Sequence, residues 1–162
     1  MRSLLLLRHA TAEATRPGRP DRDRQLTPDG EREAAAVGDH LRAGGTRPDL
    51  VLCSPAVRAR QTADALRLDA PVVVADPLYE AGTGDLLDLL RALDDGVEQV
   101  LVVAHAPGLP ALVHELADPD GSDVAALATV TRRFPAATLA TVRLAGPWSG
   151  LRRATLDAVR LP

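Results

Sequence analysis

Arg8 and His9 stand side by side where the first apolar run of the chain, Leu4 to Leu7, stops. A short, uninterrupted apolar run of this kind reads as a buried strand. An arginine and a histidine at its end have little to do in packing. Together they supply a fixed cation and, when the imidazole is neutral, a nitrogen nucleophile. Three more residues capable of chemistry have comparable addresses. Arg58 falls in the first turn of the helix expected after the second strand, where free backbone N–H groups and the positive end of the helix dipole favour an anion. Glu80 follows the third strand and His105 follows the fourth. Arginines, histidines and an acid gathered in one place describe a site for a phosphoryl group.

Other polar residues have structural explanations. His40 and His114 lie within helices beside apolar stripes. Arg60, two residues beyond Arg58, turns to another face of its helix and reads as solvated. The arginines between Arg16 and Arg24 sit in a run of Arg, Pro, Gly and Asp that reads as a solvated loop, although they could reach a bound anion. Asp76 leads into Pro77 and is expected to cap that turn. Asp85 falls in the first turn of a helix, where an acid complements the dipole. Glu80 has no such explanation, although a loop glutamate taken alone reads as a surface residue. Cys53 is the only cysteine, so no internal disulfide forms, and it reads as a small buried hydrophobe. No set of Cys, Asp or Glu completes a metal site around His9 and His105, so neither metal nor cofactor is expected.

The elements that must position these residues follow from patterning. Thr27 is a suitable N-cap, Pro28 suits the first helical position, and Ala34, Val37, Gly38 and Leu41 share one face before Gly44 and Gly45 end the helix. Leu50 to Cys53 form the second strand. Ser54 and Pro55 again read as an N-cap and a first-turn proline, opening a helix to about Leu66 with Ala59, Ala63 and Leu66 inward. Val72 to Ala75 are the third strand, and Leu86, Leu87, Leu90 and Leu93 mark the next helix. Val100 to Val103 are the fourth strand. Pro107 and Gly108 open a helix with Leu109, Leu112, Val113 and Leu116 on one face. Beyond Asp118 the pattern weakens. Ala136 to Leu144 and Ala154 to Val159 read as strands paired in an antiparallel hairpin. This alternation predicts an α/β three-layer sandwich with a mainly parallel central sheet, antiparallel at one edge, and helices on both faces. Ligands of such sheets bind outside the carboxyl ends of the strands, which is the edge where Arg8, His9, Arg58, Glu80 and His105 all fall.

A chain of 162 residues is expected to form a single domain, residues 1–162. A net charge of −3, with only Tyr79, Phe134 and Trp148 as aromatics, argues against nucleic acid as a partner. Leu4 to Leu7 is too short for a signal-peptide core, and no stretch reaches membrane-spanning length. The expectation is a cytoplasmic protein with no membrane partner.

The blocks Leu7-Arg8-His9-Ala10, Leu26-Thr27 with Gly30, Ser54-Pro55 with Arg58-Ala59 and Gln61-Thr62, and Val102-Val103-Ala104-His105 resemble the histidine phosphatase superfamily, which has the phosphoglycerate mutase-like fold. They look most like its short SixA branch of phosphohistidine phosphatases. The match runs from Arg8 to about Leu116. It departs from the family pattern at Ala106, where many relatives have Asn, and lacks the long insertions that form a capping subdomain in larger members. The resemblance implies a metal-independent phosphatase with an open site. His9 would carry a covalent phosphohistidine; Arg8, Arg58 and His105 would hold the phosphoryl oxygens; Glu80 would be the general acid, with Asp76 or His105 as alternatives. The implied substrate is phosphohistidine in a protein. The alternatives are a small phosphorylated metabolite and a non-catalytic phosphate-binding module, with a mutase further away because water would intercept the phosphoenzyme.

Overall fold

A computed structural model describes all residues, 1–162. Its strands are β1 (Arg2–Arg8), β2 (Leu50–Cys53), β3 (Val72–Val74), β4 (Gln99–Ala104), β5 (Leu139–Leu144) and β6 (Thr155–Arg160). The helices are α1 (Pro28–Ala43), α2 (Val57–Leu66), α3 (Thr83–Arg91), α4 (Gly108–Leu116) and α5 (Val124–Arg132). The strands form one sheet in the order β3-β2-β4-β1-β5-β6. The first four are mutually parallel, and β5 and β6 run antiparallel at one edge.

Alternation along the central strands divides the core in two. Leu4 and Leu6 of β1, with Val100 and Val102 of β4, face the apolar stripes of α3, α4 and α5. Leu5, Leu7, Leu101 and Val103 face α1 and α2. This is the period of two expected of a strand buried on both faces, and it produces the expected three layers. Trp148 is fully buried in the first core, and its indole N–H donates to the Val97 carbonyl (2.7 Å).

Register then delivers the chemistry. Leu7 pairs with Val103 and Arg8 with Ala104. Cys53 pairs with Val103 on the other side of β4. The ends of β1, β4 and β2 are therefore level, and the residues just beyond them share one crevice.

Three local expectations need correction. Helix α2 starts at Val57, after an Ala56 whose backbone is still extended, rather than at Ser54-Pro55. The Ser54 hydroxyl is engaged by His105 and only weakly accepts from the Ala56 N–H (3.3 Å), so it does not cap a helix. Asp76 makes no side-chain cap; its carboxylate pairs with Arg22 (3.4 Å). Helix α5 went unforeseen because Val124–Arg132 buries only Ala126 and Val130, too narrow a stripe to stand out in the pattern. By contrast α1 begins as expected, with the Thr27 hydroxyl accepting from the Gly30 N–H (3.0 Å).

Gly38 on α1 lies against the last turn of α2. A Cβ added there would sit 2.1 Å from the Leu66 carbonyl oxygen, which is backbone and cannot turn aside. Gly38→Ala should therefore force α1 and α2 apart and lower stability by about 1–3 kcal/mol. A thermal melt reads this as a midpoint several degrees lower; an unchanged midpoint would contradict the close packing of the two helices.

Candidate active site

The β1 strand carries His9 into the crevice, where its backbone N–H donates to the Ala104 carbonyl (2.9 Å) and only 7% of the residue is exposed. His9 Nδ1 lies 2.8 Å from the carbonyl of Ala10, a contact it makes only by donating a proton. That leaves Nε2 as the lone-pair nitrogen. Arg58 Nε donates to it at 3.2 Å. Burial disfavours the charged ring, the Ala10 contact partly opposes this, and Arg58, Arg8 and Arg24 reinforce it; the net result is a pKa pushed down from 6.5 to about 4.

His105 follows β4 and is held by Ser54. Its Nε2 lies 2.7 Å from the Ser54 hydroxyl, and its Nδ1 lies 3.4 Å from Arg58 Nη2. The two histidine rings are 5.1 Å apart, centre to centre. Burial, then His9 and Arg58, lower the His105 pKa to about 3. Both rings are thus neutral in a crevice rich in guanidinium groups. An arriving dianion reverses that balance and favours a proton on His105, since an opposite charge stabilises the imidazolium.

Arg58 is in the first turn of α2, as expected, with a side chain 6% exposed. Arg60 is exposed on another face. Arg8 donates from Nη1 to the Phe134 carbonyl (2.8 Å), while its buried Nε has no partner. Burial first, and Arg58 second, lower its pKa. Arg8 lines the cleft beside the nucleophile, where a guanidinium is a fixed cation for an acceptor such as a phosphoryl oxygen.

Glu80 lies on the rim of the cleft, exposed and at a positive φ of 57°. Its loop is held against the start of α4: a Cβ at Gly108 would meet the Ala81 carbonyl oxygen at 2.4 Å. Asp85 does not line the cleft; its carboxylate accepts from the Gly82 N–H (3.0 Å) at the start of α3. Arg8, His9, Arg58, Glu80 and His105 line one cleft of about 480 Å³, with Ala106 in its wall. His40 is exposed on α1, far from this role, and Cys53 is fully buried with its thiol pushed up to about 12 by burial. No cluster of three or more His, Cys, Asp or Glu has a geometry suited to a metal ion. No helix is long and apolar enough to cross a membrane.

The cleft also contains residues that sequence reasoning missed. Asp21, Arg24 and Tyr79 line it. Asp21 and Arg24 belong to the segment read as a solvated loop, where residues 21–23 form a short 3-10 turn. Tyr79 directly precedes Glu80, and its ring stands edge-on to His105 (5.7 Å). The one available signal was adjacency: Tyr79 shares its loop with Glu80, and Ser54 follows a strand that ends level with β1.

Comparison with known proteins agrees with this geometry. The sequence profile of the histidine phosphatase superfamily (branch 1) matches residues 4–96. An uncharacterised protein of Mycobacterium tuberculosis is 41% identical over 88% of this chain and 90% of its own length. The phosphohistidine phosphatase SixA of Escherichia coli is 32% identical over 79% of this chain and 84% of its own. A solved structure from Nakamurella multipartitia, provisionally named a phosphohistidine phosphatase SixA, superposes with a TM-score of 0.88. It is 38% identical and covers 99% of this chain and 96% of its own. This chain belongs to the histidine phosphatase superfamily.

The lowered pKa of His9 gives a direct test. In the free protein its ring should titrate near pH 4 and not near 6.5, read from the imidazole proton shifts by NMR. The sign for stability follows. Between pH 6.5 and about 4 the unfolded chain takes up a proton at this position and the folded chain does not, so stability falls as pH drops through that window. A His9 midpoint at or above 6.5 would mean that burial and the arginines do not govern the ring.

Proposed function

We propose that this member of the histidine phosphatase superfamily is a metal-independent phosphatase, acting as one domain over residues 1–162, that removes phosphate from phosphohistidine in a protein through a phosphohistidine intermediate of its own. The observation that carries this reading is the state of His9. Its Nδ1 proton is committed to the Ala10 carbonyl, its Nε2 lone pair faces the cleft, and Arg58 stands against it. A neutral nitrogen held among fixed cations is a nucleophile already beside the charges that would bind its target.

In the proposed reaction the phosphoryl group enters above His9 Nε2. A phosphoryl oxygen takes over the Arg58 Nε–H from the ring nitrogen, which frees the lone pair. Arg8 and His105, the latter once protonated at Nδ1, hold the other oxygens as charge moves onto them. His9 Nε2 forms the new P–N bond as the bond to the leaving group breaks. Glu80, on the rim, delivers a proton to the leaving group and later takes one from the water that attacks the phosphoenzyme. Hydrolysis releases phosphate and restores His9. Asp76 is a poor rival for this role because, unlike Glu80, it does not line the cleft.

Two points support a protein phosphohistidine as substrate. The relatives named as phosphohistidine phosphatases match 79% and 99% of this chain. The connection from β3 to β4 carries only a short 3-10 turn and α3, so the rim around Glu80 stays accessible to a bulky leaving group. A small phosphorylated metabolite is the second reading, favoured by the volume of the cleft, about 480 Å³.

The test is a hydrolysis panel with purified protein in chelator, comparing phosphohistidine with sugar and nucleotide phosphates. Phosphohistidine should be turned over fastest, and chelator should leave the rate unchanged. Labelled substrate should mark His9 alone, and His9→Ala should be folded and inactive. Label elsewhere, or activity restored only by added metal, would overturn the mechanism.

Arg58 and Arg60 separate the role of site from that of surface charge. Loss of a charge-assisted contact to the transition state costs on the order of a hundredfold or more. Arg58→Ala should lose that much in kcat, and Arg60→Ala should stay close to wild type. Equal losses would contradict the placement of α2.

A further inference from the structure

Asp21 has no part in the reaction just described, yet its contacts join three residues of the cleft, Arg24, Arg58 and Tyr79. Its backbone carbonyl accepts from Arg58 Nη1 (2.8 Å) and its Oδ2 from Arg58 Nη2 (3.0 Å). Oδ2 also accepts from the Tyr79 hydroxyl (2.8 Å), and Oδ1 from Arg24 Nε (2.9 Å). Arg24 is anchored in turn, its Nη1 donating to the Glu13 carbonyl (2.8 Å). One residue therefore ties together the loop after β1, the start of α2 and the loop after β3.

The way Arg58 divides its donors gives these contacts their meaning. A guanidinium has five N–H donors in a rigid planar fork. The Nε and Nη2 edge of Arg58 faces His9 Nε2 (3.2 Å) and His105 Nδ1 (3.4 Å). The opposite end, Nη1 with the second proton of Nη2, is gripped by Asp21. A planar fork clamped at one end has its other edge aimed. Asp21 sits behind the guanidinium as seen from the histidines, so it does not take the place of a phosphoryl oxygen between them.

We infer that Asp21 is a positioning residue for phosphoryl transfer: its carboxylate and carbonyl clamp the far end of the Arg58 guanidinium, so that the Nε–Nη2 edge is preset toward the oxygens of a group held at His9 Nε2. Tyr79 and Arg24 keep the clamp in place, and Tyr79 couples it to the loop that carries Glu80. The ion pair is retained in the acid range. Partial burial works against the Asp21 charge, but the Tyr79 hydroxyl, Arg24 and Arg58 outweigh it and hold the carboxyl down to about 2. This inference rests on the proposed phosphatase reading, which makes Arg58 a ligand of the phosphoryl group.

Electrostatics alone makes the opposite forecast, which is what gives the test its power. Removing Asp21 leaves the cleft one unit more positive, and by Coulomb attraction alone an anion would bind more tightly. A lost clamp weakens binding despite that gain. The experiment measures tungstate binding by calorimetry, which needs no turnover, together with kcat and KM on nitrophenyl phosphate. The proteins are wild type, Asp21→Asn, Asp21→Ala, Arg58→Ala and the Asp21→Ala/Arg58→Ala double variant, with circular dichroism and melting to confirm folding. Asp21→Ala should lose on the order of a hundredfold in kcat/KM, as displacement of a catalytic group by about 1 Å can cost. Its tungstate affinity should fall about tenfold, and Asp21→Asn, which keeps the shape and an acceptor oxygen, should fall between it and wild type. In the Arg58→Ala background Asp21→Ala should cost almost nothing further, because residues acting through one another are not additive.

Tighter tungstate binding or faster turnover in Asp21→Ala would overturn the inference and make Asp21 a competing anion. Full additivity with Arg58→Ala would also overturn it, reducing Asp21 to a general support of the fold. Should Asp21→Ala fail to fold, Asp21→Asn together with Tyr79→Phe carries the same comparison, each expected to weaken tungstate binding. The phosphatase reading fails separately, if wild type binds tungstate with the expected Asp21 dependence but turns over no phosphorylated substrate through His9.

Discussion

The Arg58 Nε–H held against the lone pair of His9 Nε2 is the contact on which the cleft depends. It joins a cation to a base that has to remain uncharged, and this arrangement is stable only because the ring is buried and its other nitrogen is committed to the Ala10 carbonyl. Were Nδ1 the lone-pair nitrogen, Nε2 would carry the proton and would repel the arginine. One backbone carbonyl therefore selects the tautomer, and the tautomer selects which atom faces the cleft. Around this contact the site is short of negative charge. Two neutral histidines, Arg8 and the Nε–Nη2 edge of Arg58 line it together.

That shortage is tolerable because the rest of the fold is strongly determined. The four parallel strands are joined by helices, and the central two are buried on both faces, so the strand ends are held level by apolar packing and not by the polar groups they carry. Glycine contributes where backbones approach closely. At Gly38 it lets α1 lie against the end of α2, and at Gly108 it lets the start of α4 meet the loop that presents Glu80. Apolar packing of this density offsets the cost of desolvating the arginines, since the cationic groups gain their full partner only when an anion arrives.

Asp21 is the exception to that shortage, a carboxylate already inside a cationic cleft. Its position behind Arg58 neutralises part of the charge without blocking the face toward His9 and His105. A cation clamped by an internal acid keeps its direction while the cleft is empty, and it loses little conformational freedom when a phosphoryl group binds.

Much of this was legible in the residues alone. Leu4 to Leu7 and Val100 to Val103 read as buried strands, Thr27-Pro28 read as a helix start, and the order of the blocks around Arg8, His9, Arg58 and His105 pointed to one sheet edge. Local propensity and periodicity determine these features, because each depends on neighbours a few positions away. Glu80 was legible as a candidate from its place after the third strand and from the pattern of the family the chain resembles. Ser54, Asp21 and Tyr79 were not, Arg24 was only one of several loop arginines that could reach an anion, and tertiary structure decided them. Ser54 looked like an N-cap because its sequence neighbours suit one, but the hydroxyl is taken by His105, 51 residues away. Asp21 looked like a solvated loop acid, but Arg58 is 37 residues away and Tyr79 58 residues away. A polar side chain has no period and its partner has no fixed spacing, so its role is settled only when the register of β1, β2 and β4 brings distant loops to the same crevice.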